Sequence, residues 1–198
     1  MLDAGFSTLA YLKTRILPVG TDAVTDWDDA LAKLGLGAAG RFNSYCNRVF
    51  QRVEGQVDEF NAATTAVILR AFPVEVINTV QVRVFTGSLD TFTAGQQLDK
   101  KAGLVQFRTP PGDGTERVVI DYDGGFWLDD GDDMPADATP LPEEILEAWV
   151  MQCQAWAEAR NIFGTVSLDK ERKTSTSAVQ IMEEVKEILN PYRRYAGE

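Results

Sequence analysis

The residues of this 198-residue chain that could do chemistry are concentrated in one acidic stretch. Residues 121–145, DYDGGFWLDDGDDMPADATPLPEEI, hold many carboxylates and no basic side chain. Carboxylates at this density can bind a divalent metal ion, act as a catalytic acid and base, or form a surface that repels phosphate. Each of these three uses would place the chain in a different functional class.

The spacing of the carboxylates does not match a known metal motif. An EF-hand loop alternates oxygen ligands ahead of a single glycine and ends on a glutamate. Here Asp121 and Asp123 are followed at once by Gly124 and Gly125, and the run 129–133 fails in the same way. A weak divalent site stays open as an alternative. Nearly any acid-rich loop contains a glycosidase-like pair, so a carboxylate-based hydrolase is an alternative without a specific signal.

The remaining catalytic residue types are scarce. The chain has no histidine, which excludes Ser-His-Asp and Cys-His nucleophiles and His-ligated metals. Cys46 and Cys153 lie far apart in helix-like patterns, and we expect both to be buried free thiols. The sequence therefore predicts no catalytic residue, no metal site and no cofactor.

The net charge of −11 comes from one segment. Residues 112–147 contain twelve Asp and Glu against the single base Arg117, and the rest of the chain holds 18 acids and 18 bases. This field disfavours binding of DNA or RNA. An acidic DNA mimic is a further alternative, but it predicts acids spread over a large face.

Helices at both ends of the chain would have to position this segment. Apolar residues at helical spacing predict helices over about 7–17, 25–35, 37–52, 141–160 and 177–190. Gly35 is expected to cap the second helix, and Pro142 is expected at the first position of the fourth.

Between the helices, alternating residues predict about five strands. They lie in VEGQVDEFNAA, TAVILRAF, VINTVQVRVF, GLVQFRT and ERVVIDY. Residues 86–103 are expected to form a loop or a weak hairpin. Asp121 and Asp123 are expected at the end of the last strand, before a turn at Gly124 and Gly125.

These elements predict an α+β fold, in which N- and C-terminal helices form a bundle with an inserted small antiparallel β-sheet or half-barrel. The expected layout is a single domain, 1–198. Its helices occupy residues 1–52 and 141–190, with a β insertion 53–128, an acidic linker loop 129–140 and a C-terminal tail 191–198. No run of 18 apolar residues exists, so no membrane span is expected.

The order of these pieces resembles the head–tail connector (adaptor, or head-completion) proteins of tailed double-stranded DNA bacteriophages. The pieces are RFNSYCNRVFQR, RAFPVEVINTVQVRV, VVIDYDGGF, LPEEILEAWVMQCQAWAEARN and ILNPYRRY. A strand ending in Tyr122-Asp123-Gly124-Gly125 before a helix from Pro142 to Arg160 is similar to the family pattern. The long loop 86–103 and the strong acidity of 129–137 depart from it.

The resemblance implies a non-enzymatic virion protein of the neck, assembled in the host cytoplasm. It implies a homo-oligomeric ring of roughly twelve copies, with helices packed between subunits. The partners would be the portal protein and a downstream neck or tail-terminator protein, and double-stranded DNA would pass through without specific binding. A stopper or tail-terminator role in the same neck is the alternative.

The resemblance also implies that the C-terminal tail reaches the portal. The portal-interface candidates are Tyr192, Arg193, Arg194 and Tyr195. Tyrosine and arginine are enriched in protein interfaces, although a frayed, solvated terminus is an equal alternative.

The acidic linker would gain a physical role in such a ring, because negative charge at the bore keeps DNA from adhering. The channel candidates are Asp129, Asp130, Asp132 and Asp133. A solvated surface loop without that role is the alternative.

Overall fold

The computed structural model describes residues 4–18, 25–84, 87–92, 95–129, 133–160, 162 and 180–194. The helices within them are α1 (Leu9–Ile16), α2 (Asp28–Cys46), α3 (Glu143–Ala159) and α4 (Glu183–Leu189), followed by a 3₁₀ turn at Asn190–Tyr192. The strands are β1 (Val53–Asn61), β2 (Ala66–Ile68), β3 (Val74–Arg83), β4 (Leu89–Thr91), β5 (Gln96–Asp99), β6 (Leu104–Phe107), β7 (Arg117–Gly124), β8 (Phe126–Trp127) and β9 (Thr139–Pro140). The predicted α+β class is confirmed.

The chain divides into two compact units. The helical unit comprises Met1–Cys46, Leu128–Asp132 and Leu141–Arg193, and the β unit comprises Asn47–Trp127, Asp133–Pro140 and Arg194–Glu198. All four helices belong to the first unit and all nine described strands to the second. No helix among the described residues is both long and apolar enough to cross a membrane.

The helical unit begins with a capped helix. The Thr8 side chain accepts a hydrogen bond from the Tyr11 backbone N–H at 3.2 Å, which satisfies one of the free amides at the start of α1. Leu12 is fully buried, as the apolar stripe predicts. Its neighbour Lys13 is only 7% exposed and forms an ion pair with Asp28 at 2.7 Å, which offsets the burial of its charge.

The two helices predicted over 25–35 and 37–52 are a single helix, α2. Gly35 lies inside α2 and does not cap it. Glycine is needed there for packing, because its missing side chain lets the Ala4 carbonyl and the Trp149 ring come close. The helix ends at Cys46 rather than near Arg52, since Asn47 adopts the left-handed φ of 50° that ends a helix.

The long C-terminal helix is confirmed as α3. Pro142 stands at its N-cap, one position before the predicted place, and Glu143 and Glu144 occupy the first turn. Its buried face consists of Ile145, Ala148, Trp149, Val150, Gln152, Cys153, Trp156 and Ala157. The predicted start of the last helix at 177 lies outside the described residues, within which α4 begins at Glu183.

The β unit contains two antiparallel sheets and one short parallel pair. The four-stranded sheet has the order β1-β7-β3-β4, the three-stranded sheet has the order β2-β6-β5, and β8 pairs with β9. In the described part of 86–103, β4 pairs with β3 and β5 pairs with β6, so these two strands do not pair with each other as a hairpin.

The two antiparallel sheets share one apolar core. It is formed by Val67, Leu69, Ala71, Val74, Val80, Val105, Phe107, Val118, Ile120 and Tyr122. The β7 strand supplies three of these residues and stands between β1 and β3, which makes it the centre of the larger sheet.

Candidate functional site

The described carboxylates of the acidic linker lie at the surface. Asp129 and Asp133 are both exposed, whereas Asp130 and Asp132 fall outside the described residues. Asp129 belongs to the helical unit and Asp133 to the β unit. The structure therefore allows these two carboxylates to act on solvent and on a passing polyanion through their charge.

Asp121 and Asp123 lie in the C-terminal half of β7. The Asn78 side-chain amide donates to both carboxylates, at 3.0 Å each, and the Gly55 backbone N–H donates to Asp123 at 2.8 Å. These bonds join β7 to its two neighbouring strands, so the two carboxylates have a structural use. Within the described residues, no group of three or more His, Cys, Asp or Glu side chains is arranged to hold a metal ion.

Asp58 is a buried carboxylate of the β unit that sequence reasoning missed. It is 4% exposed and accepts hydrogen bonds from the Tyr122 hydroxyl at 2.9 Å and the Arg70 backbone N–H at 2.7 Å. The Tyr122 hydroxyl in turn accepts from the backbone N–H groups of Arg70 at 3.0 Å and Ala71 at 2.9 Å. This network satisfies a buried charge with donors that come from separate segments of the chain.

Burial raises the pKa of the Tyr122 hydroxyl, and the negative charge of Asp58 adds to that increase. The hydroxyl therefore stays protonated and donates to the carboxylate. One signal in the sequence pointed to the site: Asp58 and Phe60 share a phase of β1, so an acid stands on a partly buried face.

The Gly124-Gly125 pair of the acidic stretch allows close backbone contact. A side chain on Gly124 would meet the Ala71 carbonyl at 2.5 Å, and one on Gly125 would meet the Gln51 carbonyl at 2.5 Å. Gly125 also has a φ of 102°, which side chains disfavour. The Tyr-x-Gly-Gly motif thus combines a buried hydroxyl with two close backbone contacts, and it organises the β unit.

The described tail residues are engaged with their own subunit. In the helical unit, the Tyr192 hydroxyl donates to Glu144 at 2.5 Å, and the Arg193 guanidinium lies 4.9 Å from the centre of the Tyr45 ring. The Tyr45 hydroxyl donates to Asn190 at 2.8 Å. The tail is therefore folded back as far as residue 194, and Tyr195 lies outside the described residues.

Arg194 belongs to the β unit and is half-buried there. Its guanidinium lies 5.9 Å from the centre of the Phe60 ring. Burial lowers the pKa of Arg194, while the charge of Asp58 acts in the opposite direction. Its Nε is buried and has no hydrogen-bond partner, so this position costs free energy that another partner could recover.

Only the comparison with solved structures gives matches, and these matches agree in fold. No family model matches the chain, and no curated protein matches it. Among solved structures, a chain of the virion of a native gene transfer agent particle matches with a TM-score of 0.60 and 15% identity, covering 100% of this chain and 95% of the other.

Two structures of particle necks give similar matches. A chain in the neck of an empty gene transfer agent particle, computed with C6 symmetry, matches with a TM-score of 0.61 and 16% identity over 96% of this chain and 91% of that one. A chain in the neck of the native particle, computed with C12 symmetry, matches with a TM-score of 0.52 and 16% identity over 87% and 89% of the two chains. The chain shares the fold of these particle components. At such identity, the likeness establishes the fold alone.

Proposed function

We propose that this chain is a structural virion protein of the neck, a head–tail adaptor that forms a ring beneath the portal. The observation that carries the proposal is the fold match to chains from neck structures across 96% and 87% of this chain. The order of helices, strands and glycine-rich strand end supports the same role independently, because it follows from the sequence alone.

The ring holds roughly twelve copies, since the family resemblance implies that number and head-to-tail contacts close into a ring when the rotation between copies allows it. The matched necks were computed with C6 and C12 symmetry, and a ring of twelve copies is compatible with both symmetries. The protein joins the portal to a downstream neck or tail-terminator protein and does no chemistry of its own.

In this ring, the acidic linker faces the DNA channel and repels the duplex. The exposure of Asp129 and Asp133 supports this role, because charge at the surface acts over about 8–10 Å in physiological salt. A ring multiplies the effect by its copy number. Replacing Asp129, Asp130, Asp132 and Asp133 by asparagine should make assembled rings retain double-stranded DNA at low salt, measured by filter binding.

The tail binds the portal by exchanging partners. Tyr192, Arg193 and Arg194 now contact Glu144, Tyr45 and Phe60 of their own subunit. The unpartnered Nε of Arg194 makes its present position the least favourable of the three. Portal carboxylates or carbonyls would satisfy it, so residues 192–195 are the segment that we assign to the portal contact.

The test uses the portal protein of the same particle. The chain and a variant that ends at Pro191 are each mixed with portal and sedimented. The full chain should co-sediment with the portal, and the truncated variant should lose at least about tenfold in affinity while keeping its circular dichroism. A full chain that never binds portal would overturn the adaptor role, and binding only to a downstream neck protein would favour a stopper or tail terminator.

A further inference from the structure

The outer face of α2 exposes glycines and a leucine that the fold of a single chain does not need at these positions. Gly40 is exposed, and a side chain there would meet nothing within 4 Å. Glycine in a helix interior costs about 1 kcal/mol relative to alanine, so the subunit alone would favour alanine at this position. Gly37 is also exposed, and Leu36 beside it is 51% exposed. A face with exposed glycines and an exposed leucine allows another backbone to approach closely.

The charges of this face are positive beyond its first turn. Lys33 and Arg41 are exposed on α2, and its two acids, Asp28 and Asp29, stand at the N-terminus. Lys33 lies 3.7 Å from Asp29, and both side chains are largely solvated at 79% and 99% exposure. Such a pair contributes little, so Lys33 can turn to another partner at small cost.

The outer face of α3 has the opposite character. Met151 projects from it with 39% exposure, opposite the buried Trp149 and Cys153. Four glutamates and no base lie in this helix. Two of them, Glu147 and Glu158, lie on the same face as Met151 because they are separated from it by one and two helical turns. Glu147 forms an ion pair with Arg15 of α1, so Glu158 supplies the negative charge of this face beside the apolar Met151.

The two faces match in spacing as well as in charge. Lys33 and Gly40 are seven residues apart on α2, and Met151 and Glu158 are seven residues apart on α3. Each pair spans about 10.5 Å along its helix axis. If the helices run antiparallel with Met151 over Gly40, Glu158 lies opposite Lys33.

We propose that neighbouring copies of this chain pack head to tail, with the α3 face of one copy on the α2 face of the next. The inference rests on the ring proposed above and names its subunit interface. An acidic α3 face repels another α3 face, so the complement to each surface is the other surface on a second copy. In a row of copies joined in this way, one α2 face stays unpaired at one end and one α3 face at the other. Both faces are paired in every copy only when the row closes into a ring.

Cross-linking tests the contact directly. The sequence has two cysteines, Cys46 and Cys153, and both are buried, so a double variant with Gly40→Cys and Met151→Cys carries two reactive thiols at the proposed contact. Oxidation of the assembled double variant should give a ladder of covalent multimers on a non-reducing gel. A mixture of the two single variants should stop at the dimer.

Matched controls make the result decisive. A double variant with Val57→Cys and Val76→Cys places thiols on equally exposed apolar residues, at 50% and 46% exposure, and should give no ladder. A missing ladder with the Gly40 and Met151 pair would overturn the interface. A covalent dimer from Gly40→Cys alone would also overturn it, because that result requires two α2 faces to meet.

A charge exchange tests the register. Lys33→Glu and Glu158→Lys should each weaken ring formation by at least about tenfold, since each places like charges together. An equimolar mixture of the two variants should restore rings, because the subunits can alternate around an even-numbered ring. A mixture that stays as weak as its components would contradict the pairing of Lys33 with Glu158.

Native mass spectrometry of the same samples separates this inference from the proposed function. If the unmodified chain forms no ring, alone or with portal, the adaptor role fails and the interface fails with it. If rings form but neither the cross-link nor the charge exchange behaves as described, the adaptor role stands and another surface joins the subunits.

Discussion

The two units stabilise their cores in different ways. In the helical unit, the buried Trp149 donates its indole N–H to the Gly35 carbonyl at 2.9 Å, and the contact is neutral and sterically tight. In the β unit, the buried Tyr122 donates to the Asp58 carboxylate, and the contact is charged and satisfied by several donors.

This difference predicts opposite sensitivities. The helical unit tolerates no added volume at Gly35, because overpacking strains a dense core. The β unit is sensitive to the loss of its acceptor, because removing Asp58 leaves the buried Tyr122 hydroxyl without one. The acidic linker should have neither sensitivity, since its described carboxylates are exposed.

The largest effect is expected at the β unit's carboxylate. Asp58→Ala removes the acceptor of the Tyr122 hydroxyl and the shorter of the two hydrogen bonds of the Arg70 N–H, which should cost about 3 kcal/mol. Urea denaturation gives the change in unfolding free energy, and hydrogen-exchange mass spectrometry shows which unit opens. Tyr122→Phe is the matched control. It leaves the Ala71 N–H without its acceptor but should cost less, because Asp58 keeps its bond to Arg70. A loss below about 0.5 kcal/mol for Asp58→Ala would remove the contrast between the units.

The second effect is a change in stability that has opposite signs when alanine replaces two different glycines of α2. Gly35→Ala should destabilise the chain by about 1–3 kcal/mol, because the new methyl group meets the Ala4 carbonyl and lies 2.9 Å from the Trp149 ring. Gly40→Ala should stabilise it by up to about 1 kcal/mol, because its methyl group meets nothing. Thermal unfolding of both variants checks the pair, and equal shifts would contradict the tight contact at Gly35.

A third effect appears at alkaline pH. Burial raises the pKa of the Cys153 thiol in the helical unit and of the Tyr122 hydroxyl in the β unit. Both groups stay neutral in the folded chain, so their contribution is complete below the unfolded pKa values, about 8.5 for Cys and about 10 for Tyr. Stability should then fall by up to about 1.4 kcal/mol per pH unit for each group.

Cys153→Ala separates the two units in this titration. It should remove the decline between about pH 8.5 and 10 and leave the later decline due to Tyr122. Unfolding free energies measured from about pH 7 to about pH 11 give the profile. A decline that starts at the same pH in both proteins would mean that Cys153 does not titrate on unfolding.

The smallest effect is expected in the acidic linker. Asp133→Asn should change the unfolding free energy by no more than about 0.5 kcal/mol, since the side chain is exposed. Differential scanning calorimetry at one pH suffices. A shift as large as that of Asp58→Ala would give this loop a structural role and weaken its assignment to the channel.

The sequence predicted the existence of helices and strands better than the helix boundaries and the contacts between distant residues. The helix α3 and five of the nine described strands follow from local periodicity, because their apolar residues repeat at helical or alternating spacing. The division of α2 at Gly35 was wrong, because whether a glycine ends a helix depends here on Trp149, 114 residues away. The role of Asp58 was missed for the same reason, since its partner Tyr122 lies 64 residues along the chain.

The site shows the same limit. The exposure of Asp129 and Asp133 follows from composition, but their proposed place in a channel depends on contacts between copies, which one sequence does not specify. The family resemblance implies that the tail contacts the portal, and the residue types of the tail are common in protein interfaces. Its folding onto Glu144, Tyr45 and Phe60 depends on long-range packing, which no local pattern specifies.

The ring beneath the portal is tested most directly by native mass spectrometry and negative-stain imaging of the full chain, alone and with the portal protein of the same particle. A closed ring of roughly twelve copies, free or bound to portal, is the predicted result. A chain that remains monomeric in the presence of portal at every concentration, with no portal-bound particles in the images, would contradict it.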